Sequence, residues 1–219
     1  MKIVQCWDDG VVDDIRLTEI LRLHRATASF NLNFGLHGDS RGNGWSYKGI
    51  KEVKRLAQSE LHRVYEGFTV ANHSLTHPHL EQISIKNARK EIEYNKKQLE
   101  QHFGYYVTGF AYPFGTYSPE VQDFIRETGH VYARVGVSAE RVFPPADPFA
   151  FQPSTHFKNP EFWTIFERAK ATGDVFYFWG HSYENVTEQD WQDFDAQITK
   201  ISADPETEWT DLPALFEGF

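Results

Sequence analysis

Short apolar runs and longer amphipathic segments follow one another along the whole chain. The apolar runs, which are typical of buried strands, cover residues 3–7, 28–33, 69–72, 109–112, 131–135 and 174–179. Helical periodicity is found in residues 13–24, 47–61, 84–103, 119–128, 161–172 and 188–201. These repeated strand-then-helix units predict an α/β fold in which mainly parallel strands are joined by right-handed crossovers. Either a barrel or a doubly wound sheet satisfies this pattern.

Local signals define the ends of several elements. Ser84 is a good N-cap for the longest predicted helix, and Pro119 is well placed in the first turn of the next helix. Residues 35–49 are rich in Gly, Ser and Asn and are predicted to form a loop. Residues 139–160 contain five prolines and are predicted to run irregularly over the surface.

The composition favours one domain. With 219 residues, 40% of them hydrophobic, the chain can bury one substantial core, so we predict a single domain over residues 1–219. The net charge of -9 argues against nucleic acid or an anionic membrane as a partner. Residues 1–4 lead directly into the first strand and leave no room for a secretory signal, so a cytoplasmic location is expected. The lone Cys6 is expected to be a small apolar residue of that strand.

Two adjacent carboxylates, Asp8 and Asp9, follow the first apolar run and precede Gly10. Because successive side chains of a strand point to opposite faces, one carboxylate can bind a cation while the other stays free as a base. Metal-assisted hydrolysis needs both kinds of group. An Asp-Asp-Gly sequence is also typical of an ordinary turn, so these residues alone leave both interpretations open.

Three histidines can complete such a site. His73 and His77 lie four residues apart directly after the third predicted strand, and Pro78 argues against a long helix there. His181 follows the last predicted strand. The candidate residues therefore stand at the carboxyl ends of strands, where α/β folds place their active sites.

Other polar residues receive simpler interpretations. Asp13 and Asp14 are expected to start the first helix, where a carboxylate interacts favourably with the helix dipole. His156 is expected to be a solvated loop residue. Glu184, three residues after His181, is either an exposed charge or a residue that orients or contacts the site.

Five short segments, spread in order over nearly the whole chain, resemble the motifs of one family. They are residues 7–10 (Trp-Asp-Asp-Gly), 28–30 (Ala-Ser-Phe), 73–77 (His-Ser-Leu-Thr-His), 111–115 (Ala-Tyr-Pro-Phe-Gly) and 179–181 (Trp-Gly-His). In the polysaccharide deacetylases, the fourth carbohydrate esterase family, the corresponding motifs are Thr-Phe-Asp-Asp-Gly, Ala-Thr-Phe-Phe, His-Ser/Thr-x-x-His, Arg-x-Pro-Tyr/Phe-Gly and Leu-x-His. The first and third motifs are specific, and the chain is similar to this family in their ordered combination.

The resemblance implies a fold, a cofactor and two proton-transfer groups. The family fold is an incomplete, distorted (β/α) barrel with mainly parallel strands. By this resemblance, Asp9, His73 and His77 would bind a divalent metal, most often zinc. Asp8 would be the general base, and His181 would be the general acid that protonates the leaving amine.

Further residues are assigned by the same resemblance and by their neighbours. The backbone N–H of Phe114 would stabilise the tetrahedral oxyanion, as a donor placed where charge develops. Tyr112 and Trp179 are candidates for substrate contact, because aromatic rings beside polar groups often line sugar pockets. Glu184 is a third candidate for substrate contact.

Departures from the family pattern also matter for the site. Ala111 stands where the family often has an arginine beside the catalytic base, and Trp179 replaces the common leucine of the acetyl pocket. The Asp-x-x-Asp-Trp motif of the family is not recognisable. Arg134, at the end of the next predicted strand, is the best candidate to supply the missing cation to Asp8. The alternative is that Arg134 is a solvated charge.

The sequence thus predicts a metal-dependent hydrolase that removes an acetyl group from an N-acetylated sugar or oligosaccharide. Two alternatives stay open: an amidohydrolase that acts on another small non-peptide C–N bond, and a non-catalytic carbohydrate-binding descendant. The identity of the sugar, its chain length, the physiological metal and the oligomeric state are not determined by the sequence.

Overall fold

The apolar runs form the strands of one curled, parallel sheet in the computed structural model, which describes residues 1–217. In chain order, the strands are β1 (Lys2–Asp8), β2 (Ser29–Leu32), β3 (Gly42–Tyr47), β4 (Lys51–Arg55), β5 (Thr69–Asn72), β6 (Gly109–Ala111), β7 (Tyr132–Arg134), β8 (Thr155–His156), β9 (Phe176–Gly180) and β10 (Glu208–Trp209). The sheet has the order β7-β6-β5-β2-β1-β9-β8, and β10 pairs with the start of β1. The predicted α/β class and incomplete (β/α) barrel are confirmed.

Helices connect most of these strands. They are α1 (Asp14–Leu23), α2 (Gln58–Tyr65), α3 (Ile85–Phe103), α4 (Pro119–Glu127), α5 (Phe162–Thr172) and α6 (Glu188–Ala203). As predicted, the Ser84 hydroxyl caps α3 by accepting a hydrogen bond from the Asn87 N–H, and Pro119 occupies the first turn of α4. None of the helices in residues 1–217 combines the length and the apolar character needed to cross a bilayer.

Side-chain alternation along β1 divides the core into two layers. Ile3 and Trp7 pack outward with apolar residues of the surrounding helices. Val4 and Cys6 pack in the barrel interior against buried rings contributed by other strands. Cys6 is buried in the strand as predicted. Asp8 shares the face of Val4 and Cys6, so its carboxylate points into the upper part of the barrel.

A short segment runs between the two edges of the curled sheet. The N–H of Phe151 donates to the Ala133 carbonyl at 2.8 Å, and its carbonyl accepts from the Val135 N–H at 3.0 Å, so Phe151 pairs with β7 at one edge of the sheet. A few residues later, β8 pairs with β9 at the opposite edge. Phe151 and Thr155 have no exposed surface. The prediction of an irregular surface excursion over residues 139–160 is therefore wrong for this part, because the segment joins two edges that are distant in sequence.

A hairpin of β3 and β4 replaces the loop predicted for residues 35–49 and the first half of the helix predicted for residues 47–61. Only the second half of the predicted helix is helical, as α2. In β4, Val53 and Arg55 are buried while Glu52 and Lys54 are exposed, which is the two-residue period of a strand. Such a short run can fit a helical period by accident. Contacts with distant parts of the chain decide in favour of the strand.

Two polar residues also depart from their predicted positions. Asp14 starts α1 as expected, but it is fully buried and accepts hydrogen bonds from the hydroxyls of Tyr65 and Ser182. His156 lies half-buried in β8 rather than in a solvated loop. In both cases the partners come from distant parts of the chain, so no local pattern could identify them.

Candidate metal centre

Asp8 and Asp9 face different partners at the carboxyl end of β1. Asp8 is the last strand residue, whereas Asp9 adopts a φ of 86° and Gly10 a φ of 68°. A positive φ is strained for a residue with a side chain, and such strain is often found at functional sites. Gly10 is required here, since a Cβ at this position would lie 2.6 Å from the His37 ring.

The three predicted metal ligands converge at this point. The ligand atoms of Asp9, His73 and His77 all lie within 4.8 Å of one another. His73 follows β5 directly, and a tight turn brings His77 back beside it, with a φ of 60° at His77 and 4.8 Å between the ring centroids. The His77 N–H donates to the Ser74 hydroxyl at 3.1 Å, which holds this turn.

The donor set fits a divalent cation. Nδ1 of His73 lies 2.7 Å from the carbonyl at the end of β6, and because a carbonyl only accepts, Nδ1 carries the proton and Nε2 keeps a free lone pair. Burial lowers the pKa of His73 to about 4 and also lowers the pKa of His77, so both rings are neutral near pH 7. Burial opposes the ionisation of Asp9, but nearby cationic side chains lower the pKa of this carboxyl. One carboxylate and two neutral imidazoles are suitable ligands for such an ion.

Asp8 is held by an arginine and an amide. Nη2 of Arg134 donates to Oδ2, and the Asn31 amide donates to Oδ1 at 2.6 Å. Burial would raise the pKa of Asp8, but Arg134 holds it well below its usual range. The Arg134 guanidinium also lies over the Trp179 ring, 4.7 Å from its centroid. The predicted contact between Arg134 and Asp8 is therefore present.

His181 lies beside both carboxylates. Its Nε2 is 3.8 Å from Oδ2 of Asp8 and 3.9 Å from Oδ2 of Asp9. Its Nδ1 is 3.7 Å from Oε2 of Glu184, and that oxygen lies 2.8 Å from Nε2 of His156. Burial would lower the pKa of His181, but Glu184 and the two aspartates raise it above its usual value. An imidazole that keeps its proton in this position can donate it to a leaving group.

Aromatic rings border the site on two sides. Phe114, with a φ of 59°, stacks on His79 with 3.7 Å between centroids and contacts His77 edge-on at 4.6 Å. The Phe114 side chain is 56% exposed, so its ring is available to a ligand. On the other side, Tyr183 packs against His181 at 4.9 Å.

The predicted substrate-contact residues do not all reach the site. Tyr112 has no exposed surface, and its hydroxyl donates to the Phe149 carbonyl at 3.0 Å, so the prediction that Tyr112 contacts substrate is wrong. Tyr112 lies two positions before Phe114, the first exposed residue of the turn that follows β6. Trp179 and Glu184 are partly exposed beside His181, as a contact with substrate requires.

Three residues at the site were not predicted from the sequence. Asn31, which holds Asp8, is a polar residue inside an apolar run, and that position was a usable signal. Arg55 contacts Asp9 but lies in the segment that was predicted to be helical. His156 contacts Glu184 from a two-residue strand that has no local signature.

Comparison with known proteins relates the chain to a family. The sequence model described as polysaccharide deacetylase matches residues 1–133, a range that contains the candidate metal ligands and ends before His181. A curated relative, uncharacterized protein YlxY of Bacillus subtilis (strain 168), is 25% identical over 112 residues, which is 51% of this chain and 30% of the relative. The chain therefore matches less than a third of the length of this relative.

Solved structures share the fold. A family 4 carbohydrate esterase from Streptomyces lividans, in complex with acetate, has a TM-score of 0.61 and 15% identity, with 94% of this chain and 90% of that chain covered. The peptidoglycan deacetylase PdaC from Bacillus subtilis has a TM-score of 0.59 and 20% identity, with 98% and 89% covered. A CE4 family pseudoenzyme from Bacillus anthracis has a TM-score of 0.61 and 16% identity, with 98% and 65% covered.

Proposed function

The chain belongs to the polysaccharide deacetylase family, and from this premise we propose that it is a metal-dependent hydrolase that removes an acetyl group from an N-acetylated sugar or oligosaccharide. The observation that carries the proposal is the convergence of Asp9, His73 and His77 beside a buried carboxylate, Asp8, and a partly exposed imidazole, His181. The three ligands would hold a divalent ion, and zinc suits this donor set best.

Asp8 is placed to act as the general base. A divalent cation at the neighbouring ligands would polarise the substrate carbonyl and lower the pKa of the attacking water. Asp8 accepts the proton of that water, while Arg134 and Asn31 keep its carboxylate ionised and in one orientation. The low pKa of Asp8 makes it a weak base, so it depends on a water that is already acidic.

His181 supplies the second proton transfer. Its raised pKa favours the protonated ring, and the proton on Nε2 goes to the nitrogen that leaves when the amide bond breaks. Glu184 lies on the Nδ1 side of the ring and favours the protonated form. The backbone N–H of Phe114 is our proposed donor to the oxyanion, next to the ligand His77.

The surroundings of the centre suit a sugar. The exposed Phe114 ring, stacked on the half-buried His79, offers an apolar surface to a pyranose ring, and Trp179 and Glu184 lie at the His181 side. We propose that residues 1–219 act as one catalytic domain. The predictions of a cytoplasmic location and of no nucleic-acid or membrane partner stay predictions.

Acetate release from a panel of N-acetyl sugars and their oligomers tests the proposal. Purified protein should contain a divalent metal, lose activity on exhaustive chelation and regain it with zinc. His77→Ala should lose both metal and activity, because it removes one of three ligands, whereas His62→Ala, on the exposed face of α2, should keep both. Full activity after chelation would contradict the metal mechanism. Bound metal without acetate release would favour the non-catalytic alternative.

A further inference from the structure

The β3–β4 hairpin is attached to the chain directly after the candidate metal ligand Asp9. The Val12 N–H donates to the Lys54 carbonyl at 2.8 Å, and the Leu56 N–H donates to the Gly10 carbonyl at 3.1 Å. These bonds pair β4 antiparallel with the segment that leaves the site. The hairpin and the strained turn at Asp9 therefore share main-chain hydrogen bonds.

The other end of the hairpin is attached to the loop that follows His181. Nζ of Lys51 donates to the carbonyls of Tyr183 at 3.3 Å and Asn185 at 2.9 Å. The rings of Trp45 and Tyr47 both pack edge-on against Tyr183, each at 5.1 Å. The hairpin thus contacts both the metal-ligand side and the His181 side of the site.

Arg55 makes the direct contact with Asp9. It is buried, its Nη1 donates to the Asp9 carbonyl, and the same nitrogen lies 3.5 Å from Oδ1 of the Asp9 carboxylate. The guanidinium lies 5.1 Å from the centroid of the Trp45 ring. Arg55 is therefore held by an aromatic face of the hairpin while it contacts the ligand.

The Arg55 guanidinium carries a positive charge beside the ligand Asp9, so it repels a metal ion bound there. Another effect of Arg55 must outweigh this repulsion if the residue favours metal binding. The stronger contact of Arg55 is with the main-chain carbonyl of Asp9, the residue with a φ of 86°. The contact with Oδ1 is longer and leaves the carboxylate lone pairs available. Oδ1 also lies 3.9 Å from Nε2 of His77, so the carboxylate is already turned toward a second ligand.

We propose that Arg55 is a positioning residue that holds the strained Asp9 peptide with its carboxylate facing His73 and His77, and that the hairpin and the metal site stabilise one another through this contact. The inference rests on the proposed function, because it requires a metal at these three residues. It predicts that the orienting effect of Arg55 exceeds its repulsion of the metal.

The test measures zinc affinity directly. Zinc is titrated into chelator-treated protein in competition with a chromophoric chelator. Arg55→Met should weaken zinc binding by about tenfold or more, the usual scale for a lost partner of a metal ligand. Arg55→Gln should weaken it less, because an amide N–H can still donate to the Asp9 carbonyl. Arg41→Met, which removes an exposed arginine paired with Glu60 just before the same hairpin, is the matched control and should leave the affinity unchanged.

Backbone hydrogen exchange provides the second measurement. Zinc should slow exchange of the Val12 and Leu56 amides in the wild type and in Arg41→Met, and should slow it much less in Arg55→Met. If Arg55→Met does not fold, Arg55→Gln and Trp45→Leu take its place, and both should weaken zinc binding. If the folded Arg55 variants bind zinc as tightly as the wild type or more tightly, the inference about Arg55 is overturned and the proposed function is unaffected. Wild-type protein that binds no zinc would overturn the proposed function and this inference with it.

Discussion

The buried ion pair between Arg134 and Asp8 leads to a quantitative prediction. The two side chains are 2% and 4% exposed, so solvent screens their attraction weakly. Arg134→Met keeps most of the side-chain volume and removes the cation and its hydrogen bond. The Asn31 amide remains as a donor to Asp8. Within residues 1–217, Arg134 makes no hydrogen bond or ion pair with the three candidate metal ligands, although, besides burial, its charge helps to lower the pKa of His73.

The magnitude follows from the contact. Two unit charges about 4 Å apart attract by about 4 kcal/mol at an effective dielectric constant of about 20. At about 1.4 kcal/mol per pKa unit, losing this attraction should raise the pKa of Asp8 by about three units. Burial opposes the ionisation of Asp8 in the wild type and in the variant alike, so it adds nothing to this difference. The same change should lower the free energy of unfolding by about 3–5 kcal/mol, because it leaves a buried charge without its partner.

The assay is kcat/KM for acetate release as a function of pH, measured with the metal content of each sample. In the wild type, Asp8 stays ionised well into the acidic range, because its pKa is depressed. In Arg134→Met, Asp8 takes up a proton at higher pH, so activity should fall earlier as the pH decreases, with the acidic limb displaced upward by about two to three pH units. Arg126→Met is the matched control, because Arg126 pairs with Asp147 at the surface, with exposures of 39% and 34%.

A pH profile of Arg134→Met that superimposes on that of the wild type, in folded and metal-loaded protein, would refute this reasoning. It would mean that Asp8 is not the group whose ionisation limits the rate. Loss of metal in the variant would point instead to a structural effect on the neighbouring Asp9.

Two further predictions concern His181 and Asp14. His181→Ala should lower amide hydrolysis by roughly a hundredfold and ester hydrolysis by less, since an alkoxide leaves more easily than an amide anion; equal losses on N-acetyl and O-acetyl substrates would exclude His181 as the acid. Burial raises the pKa of Asp14 to about 7, so the folded protein keeps a proton that the unfolded chain releases near pH 4. As the pH rises from about 4 to about 7, the free energy of unfolding of the wild type should therefore fall relative to that of Asp14→Asn, by at most about 4 kcal/mol. Urea unfolding measures this difference, and a difference that does not change with pH would contradict the burial argument.

The elements with strong periodicity and clear caps could be predicted from the sequence alone. The helix at Ile85–Phe103 repeats its apolar face over several turns and begins after a capping serine, so local interactions define it. The candidate ligands were predictable for a similar reason. Two local features identify them: the four-residue spacing of His73 and His77, and the adjacent carboxylates Asp8 and Asp9 at the end of a strand. These features determine which side chains lie at the carboxyl ends of the strands.

Only the tertiary structure decided how distant residues meet. Arg134 lies on β7, at the edge of the sheet, and reaches Asp8 on β1 because the sheet curls and both side chains point into the barrel. The sequence identified Arg134 only as a candidate partner of Asp8, because the curl of the sheet depends on the packing of all the strands. The hairpin was missed because the short run Lys51–Arg55 has no strong period of its own. Its buried positions are set by contacts with Gly10, Val12 and Tyr183, which lie far away along the chain, and such contacts override weak local preferences.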